Sequence, residues 1–152
     1  MPINVNRITH VAAVVFIENF ESTISRLSVA LQIAFAGPYL REANDIRVAI
    51  SWDAGIEVIA PATPGGAFDQ GLKERGEGWR VVGFGVRDID STAARLKNIG
   101  IAELDRYSSI SGVEPWVEHF EKLDGAFFDD PLFGIGGPLP ILFTSMEPRR
   151  PD

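Results

Sequence analysis

The chain has 152 residues, 45% of them hydrophobic, and a formal net charge of -7. This length and apolar content suffice for one domain with its own core. The absence of cysteine excludes thiolate catalysis, cysteine-based zinc sites and disulfide bonds. The negative charge and the scattered Lys and Arg residues argue against a nucleic-acid partner. The sequence has neither signal-peptide order nor an apolar run near the ~20 residues of a membrane span, so we expect a cytoplasmic protein without a membrane partner.

The first part of the chain alternates between strand and helix patterns. Val- and Ala-rich residues open it, and an amphipathic stretch with Ile24, Leu27 and Leu31 on one face follows. An Asp-Ala-Gly turn between two short apolar runs is typical of a β-hairpin. In chain order we predict a strand, a helix, a short strand and a hairpin, at residues 8–17, 18–33, 39–41, 46–52 and 56–61.

The second part repeats this order after a turn-rich connector with a short helix at residues 67–75. We predict a strand, a helix and three further strands, at residues 79–86, 88–98, 103–107, 125–129 and 141–145. The heptapeptides at residues 21–27 and 90–96 share an acid, Ser, Thr, Arg and Leu in the same positions. This match indicates an internal repeat.

Each half therefore has the pattern βαβββ, and such a unit cannot cover its own apolar sheet face. We predict an α+β fold in which two tandem βαβββ modules form a curved, barrel-like mixed sheet around a cleft. The expected organisation is a single domain over residues 1–152, with modules at 7–62 and 77–148 and a connector at 63–76. Because exposed edges of such modules commonly pair, we also expect a homodimer.

Four short segments carry a family resemblance. The first strand opens with Ile-Thr-His-Val-Ala at 8–12, and the first module closes with Gly-Ile-Glu-Val-Ile-Ala-Pro at 55–61. Gly-Glu-Gly at 76–78 leads into the second module, and Phe-Phe-Asp-Asp-Pro at 127–131 precedes the final strand. Over nearly the whole chain, this order resembles the vicinal oxygen chelate superfamily, which includes glyoxalase I, methylmalonyl-CoA epimerase, extradiol dioxygenases and bleomycin-resistance proteins. Epimerase-like and glyoxalase-like members are the most similar.

The resemblance implies a four-ligand metal site in which the first and last strands of each module supply one ligand each. His10 and Glu57 fit the two positions of the first module. In the second module, the third position falls on Trp79 or Val81, and neither side chain can ligate a divalent metal.

The fourth ligand position of the implied site also lacks a carboxylate. It falls on Ile141, Leu142 or Phe143, and Glu147 lies too far along the strand. One imidazole and one carboxylate leave most of the coordination shell to water. We therefore expect no required metal, with residual divalent metal binding possible through His10 and Glu57 alone.

His10 and Glu57, if they lie on neighbouring strands and face inward, form a candidate catalytic pair for removing a proton next to a carbonyl. The alternative interpretation is an ancestral pair whose members satisfy one another inside the fold. Arg80 would serve an anionic ligand only if it faced the cleft. The candidate substrate-binding residues are mostly aromatic and suit a flat or hydrophobic ligand: Trp79, Tyr39, Tyr107, Trp116, His119, Phe128 and Phe133.

Three functions remain open from the sequence, all with a small-molecule substrate or ligand. The first is a metal-independent isomerase or lyase that acts on a carbonyl-bearing molecule by proton transfer, with a Tyr or Arg at the oxyanion. The second is a non-catalytic binding protein of the bleomycin-resistance type. The third is a metal-dependent lyase or dioxygenase whose missing ligands come from a partner subunit or from residues such as His119 or Glu147.

Overall fold

The structure is a computed structural model that describes residues 5–108, 119–129 and 141–148. The chain divides into two units. The N-terminal unit is His10–Arg80, and the C-terminal unit combines Met1–Thr9 with Val81–Asp152. Among the described residues, no helix combines the length and hydropathy needed to cross a bilayer.

The N-terminal unit carries a mixed sheet and two α-helices. Its elements are β1 (Ile8–Val14, whose first two residues belong to the other unit), α1 (Phe20–Leu31), β2 (Ala36–Arg41), β3 (Ile46–Ser51), β4 (Ile56–Pro61) and α2 (Ala67–Arg75). The strand order is β2-β3-β4-β1. Strands β2, β3 and β4 pair antiparallel, and β1 pairs parallel with β4.

The C-terminal unit repeats this topology. Its elements are β5 (Gly78–Gly85, which begins in the N-terminal unit), α3 (Ile89–Asn98), β6 (Ala102–Ser108), β7 (Phe120–Asp129) and β8 (Ile141–Pro148). The strand order is β5-β8-β7-β6, with β5 parallel to β8 and the other pairs antiparallel. The predicted α+β class with tandem βαβββ units is confirmed.

Each sheet packs one face against its own helix. In the N-terminal unit the buried cluster at α1 consists of Val15, Phe20, Ala49, Val58 and Ala60. In the C-terminal unit the corresponding cluster at α3 consists of Ile89, Ile101, Ala126 and Phe128. Both clusters remove apolar surface from water, which is the main favourable contribution to folding.

Helix α1 buries less of its predicted apolar face than expected. Ile24 and Leu27 pack against the core cluster, but Leu31 is 50% exposed. Leu31 is the last helical residue, because Gln32 adopts the left-handed conformation that ends the helix. The prediction for Leu31 was therefore wrong.

Strands β2, β7 and β8 are each at least three residues longer than the sequence indicates. Strand β2 begins at Ala36, because a register irregularity between Ala36 and Tyr39 lets the strand pass Gly37 and Pro38 while still pairing with β3. Strand β7 begins at Phe120, where it pairs with the end of β8 at Pro148. Strand β1 ends earlier than predicted, at Val14, because a short 3-10 turn follows at Ile17–Asn19.

The two helices that follow the first strand of each unit are held at their starts by different acids. Asp88 caps α3 locally, since its carboxylate accepts a hydrogen bond from the Ser91 N–H at 2.8 Å. At α1 the Glu77 carboxylate, distant in sequence, accepts from the Phe16 N–H at 2.8 Å and from the Asn19 amide at 2.7 Å. Glu77 thus fixes the turn that leads into α1.

Arg80 has a structural role. Its guanidinium donates to the carbonyl oxygen of Arg75 at 2.7 Å and to that of Gly76 at 3.1 Å. These carbonyls lie at the C-terminal end of α2, where a cation also interacts favourably with the helix dipole. Arg80 therefore caps α2.

Candidate active site

The face of the N-terminal sheet opposite α1 carries the candidate catalytic residues. Residues paired directly across strands share a face, and Glu57 on β4 pairs with Ala12 on β1 and with Ile50 on β3. His10 precedes Ala12 by two positions, so it lies on this face too. Arg41 pairs with Ile46 on β3, which alternates onto the same side as Ile50. We call this surface the Glu57 face; His10, Ala12, Arg41, Ile50 and Glu57 belong to it.

The predicted pair is brought together on neighbouring strands. His10 Nε2 lies 3.7 Å from Glu57 Oε2, and the two side chains are 15% and 12% exposed. This separation is longer than an ordinary hydrogen bond but within the range of an ion pair. The two groups can therefore influence each other's protonation without a tight contact between them.

Burial shifts the two groups in opposite directions. Desolvation raises the pKa of the Glu57 carboxyl to about 7, although the positive charge of Arg41 acts to lower it. Desolvation lowers the pKa of the His10 imidazole to about 4. At neutral pH the pair therefore consists of a neutral imidazole and a carboxyl group that exchanges its proton readily.

Arg41 is a site residue that sequence analysis did not single out. It is half-buried at the end of β2 and shares the Glu57 face with Tyr39, two positions before it. The sequence indicated the position of Arg41 only indirectly. Tyr39 was a candidate binding residue, and strand alternation places Arg41 on the same side as Tyr39.

The C-terminal unit has no acid or imidazole where its first and last strands pair among the described residues. Gly83 pairs with Leu142, and Gly85 pairs with Thr144. Leu142 is 2% exposed and contributes only hydrocarbon. Glu147 alternates onto the face opposite Leu142 and Thr144, with Lys122 beside it on β7.

The donor set on the Glu57 face does not fit a tightly held divalent metal. Such a site needs three or four protein ligands, and His10 and Glu57 supply two. Within residues 5–108, 119–129 and 141–148, no group of three or more His, Cys, Asp or Glu side chains is placed to hold an ion.

The candidate binding residues occupy different environments. Trp79 is 55% exposed at the start of β5, and His119 is exposed in the turn before β7. Phe128 is fully buried and stacks edge-on against Phe143, with ring centroids 5.6 Å apart. Its side chain packs the core under α3.

Tyr107 lies on the face of the C-terminal sheet opposite α3. Its ring covers the backbone of Gly125, its direct partner on β7, and its centroid lies 6.1 Å from that of Phe127. The two rings form a half-buried aromatic surface. Trp116 and Phe133 lie outside the described residues.

Comparison with solved structures identifies the fold. Methylmalonyl-CoA epimerase from Mycobacterium tuberculosis is 20% identical, with a TM-score of 0.67 over 97% of this chain and 91% of that one. A Streptomyces coelicolor methylmalonyl-CoA epimerase variant in complex with 2-nitronate-propionyl-CoA is 18% identical, with a TM-score of 0.65 over 92% of this chain and 96% of that one.

A third similar structure is a variant of 4-hydroxymandelate synthase from Streptomyces coelicolor, which is 18% identical with a TM-score of 0.71. The match covers 99% of this chain but only 50% of the synthase, so the chain spans half of that enzyme's length. No protein-family model matches the chain, and neither does any of the curated protein sequences compared with it. From the shared topology and these structural matches, the chain has the fold of the vicinal oxygen chelate superfamily.

Proposed function

We propose that this protein is a metal-independent isomerase or lyase that moves a proton at a carbon next to a carbonyl group. The observation that carries the proposal is the buried pair on the Glu57 face, in which the pKa of Glu57 is raised to about 7. A general base is most effective when its pKa lies near the working pH. A carboxyl group with this pKa is therefore suited both to remove a proton and to return it.

In the proposed reaction, the Glu57 carboxylate takes the proton from the carbon next to the carbonyl. The electrons of the C–H bond form a carbon–carbon double bond, and the carbonyl oxygen becomes the negatively charged oxygen of an enolate. Tyr39 is the proposed donor to this oxyanion. The protonated Glu57 then returns the proton to the same carbon, on the opposite face once the enolate has turned, or to a neighbouring atom. In a lyase, the enolate electrons instead form a double bond to the next carbon and expel a leaving group from it, and Glu57 gives the proton to that group.

His10 is proposed to act as a neutral group beside the base. Its pKa is lowered to about 4, so it carries no charge at neutral pH. An imidazolium 3.7 Å from Glu57 would stabilise the carboxylate and lower its basicity. A neutral His10 leaves Glu57 a stronger base.

The similar solved structures support a carbonyl-bearing substrate. Two of them are methylmalonyl-CoA epimerases, one in complex with 2-nitronate-propionyl-CoA. Epimerisation next to a thioester carbonyl requires the same removal and return of a proton. Acyl thioesters and ketones are therefore the first compounds to test.

The test is hydrogen–deuterium exchange, followed by NMR, of 2-methyl acyl thioesters and simple ketones incubated in D2O with the protein. We expect Glu57→Gln to lower the exchange rate by about 100-fold or more, the usual contribution of a general base. Glu42→Gln removes an exposed carboxylate from the turn after β2 and serves as the matched control. Equal exchange by the wild type and the Glu57→Gln variant would contradict the proposal.

The second candidate is a binding protein of the bleomycin-resistance type, favoured by the aromatic surface of Tyr107 and Phe127. Such a protein would bind flat aromatic compounds by stacking and would need no base. In that case Glu57→Gln would leave ligand affinity unchanged and no compound would undergo exchange. Calorimetric titration with aromatic compounds, compared between the wild type and Tyr107→Ala, distinguishes the two candidates.

The remaining proposals are a cytoplasmic location and a homodimer. Strands β2 and β6 are the outermost strands of their units in the described part of the chain. Such edges expose backbone hydrogen-bonding groups to another copy. Sedimentation equilibrium should give the mass of two chains, and a monomer mass across the concentration range would contradict the dimer.

A further inference from the structure

The Glu57 face carries one arginine at some distance from the base. Arg41 pairs with Ile46, which pairs with Pro61, so Arg41 lies two strands across and four residues along from Glu57. With a rise of about 3.3 Å per residue and a strand spacing of about 4.8 Å, the two Cα atoms are roughly 16 Å apart. The Cα atoms of Arg41 and Glu57 thus lie well apart on one face, although the Arg41 charge still acts on the Glu57 carboxyl.

The surface between these two positions is apolar. Val48 and Ile50 on β3 and Ile59 on β4 alternate onto the Glu57 face. Val48 is fully buried, and Ile50 is 6% exposed. The strand positions between the two Cα atoms therefore carry hydrocarbon side chains.

Arg41 carries a guanidinium group, and Glu57 carries a carboxyl group whose charge depends on pH near neutrality. A guanidinium keeps its proton at any physiological pH and binds carboxylates through paired N–H donors. Its charge also acts on Glu57, since it opposes the rise in the pKa of that carboxyl. A half-buried cation on the same face as a catalytic base suits an anionic part of the substrate.

We propose that Arg41 binds a carboxylate of the substrate, and that this carboxylate is separated by an apolar chain of several bonds from the carbon that Glu57 deprotonates. The substrate class is then a keto acid or acyl ester with a remote carboxylate. This inference rests on the proposed proton transfer and adds a specificity-determining residue to it. Arg41 recognises the anion and takes no part in the movement of the proton.

The experiment uses matched carboxylate and amide probes in the deuterium-exchange assay. The carboxylates are 4-oxopentanoate and 6-oxoheptanoate, whose terminal methyl groups lie next to the ketone, and the neutral counterparts are their primary amides. The wild type should exchange the preferred carboxylate about 10- to 100-fold faster than its amide, the usual range for a hydrogen bond to a charged group. The ratio of the two rates does not depend on how much of a variant is folded.

Arg41→Gln should reduce this ratio to near one, and Arg41→Lys should restore part of it. Arg47→Gln is the matched control, because Arg47 is exposed and alternates onto the other face of β3. A wild-type ratio near one, or equal ratios in Arg41→Gln and Arg47→Gln, would overturn anion recognition even if Glu57→Gln abolishes exchange.

Binding of the same probes, measured by calorimetry, separates the two hypotheses. The anion site is supported if the wild type binds the carboxylates more tightly than the amides and Arg41→Gln loses this difference. If no probe exchanges in that case, only the proposed proton transfer is contradicted. If neither exchange nor binding distinguishes carboxylate from amide, the assignment of Arg41 is wrong.

Discussion

The two units share a topology but differ in what they present on the sheet face opposite the helix. The N-terminal unit presents a buried acid, an imidazole and an arginine. Where the first and last strands of the C-terminal unit pair, the described residues include two glycines, Leu142 and Thr144. The helix side is apolar in both units. The packed side therefore specifies the fold, and chemistry on the opposite side can differ while the topology stays the same.

Truncation of the helix-side core, which both units share, should cost the most stability. Phe20 and Phe128 are the large, fully buried side chains of the two helix-side clusters. Phe20→Ala and Phe128→Ala should each lower the free energy of unfolding by about 3–5 kcal/mol, because each leaves a cavity in a packed core. Urea unfolding measures both, and Val29→Ala, at a position 81% exposed on α1, should change little. A loss below about 1 kcal/mol for one phenylalanine would mean that its unit is loosely packed.

The second prediction concerns the N-terminal unit alone. It compares how stability depends on pH in Glu57→Gln and in His10→Gln. In Glu57→Gln, His10 remains, with a pKa of about 4 in the folded protein against an ordinary value of 6.5, so the free energy of unfolding decreases as pH falls from about 6.5 to about 4. In His10→Gln, Glu57 remains, with a pKa of about 7 in the folded protein against an ordinary value of 4.5. The free energy of unfolding therefore decreases as pH rises from about 4.5 to about 7.

Urea unfolding between pH 4 and 7.5 measures how stability changes with pH in each single variant, with the double variant as the baseline. The two slopes should have opposite signs. Slopes of the same sign in the two single variants would contradict opposite shifts of the two pKa values by burial.

A smaller effect tests the face of the C-terminal unit opposite α3. A methyl group at Gly125 would overlap the Tyr107 ring. Gly125→Ala should therefore cost about 1–3 kcal/mol of stability, the usual range for overpacking. Adding Tyr107→Ala should recover part of the loss in a double-mutant cycle. Independent, additive losses would mean that the ring does not rest on this glycine.

The last prediction compares the acidic residues at the starts of α1 and α3. Glu77→Ala and Asp88→Ala each remove acceptors for backbone or side-chain donors at the start of a helix. Both should lower the midpoint of thermal unfolding by a few degrees. Glu121→Ala, in an exposed strand position, is the control. An unchanged midpoint for Glu77→Ala would show that α1 does not depend on this remote acid.

The order of the elements and the limits of the helices were predicted best where the sequence has local signals. Helix α2 occupies residues 67–75 as predicted, and Asp88 caps α3. Strand limits were less accurate, because pairing partners set them. Neither the passage of β2 through Gly37 and Pro38 nor the early start of β7 has a local signal in the chain.

The candidate site was predicted in part. His10 and Glu57 were placed together by the family resemblance, and they lie 3.7 Å apart. Arg41 was missed, since only the register of β2 against β3 shows that it shares their face. The capping role of Arg80 could not be predicted from the sequence either. Strand alternation alone could not reveal that its guanidinium folds back onto the end of α2.

The division of the chain falls inside β1, and this bears on any attempt to separate the halves. Gly85 exchanges two backbone hydrogen bonds with residues 6 and 7, and the Thr9 hydroxyl donates to the Gly83 carbonyl at 3.0 Å. A fragment that starts at Val81 would leave these polar groups of β5 without their native partners. Reconstituting the C-terminal half from pieces would require a short peptide spanning residues 5–9 supplied in trans.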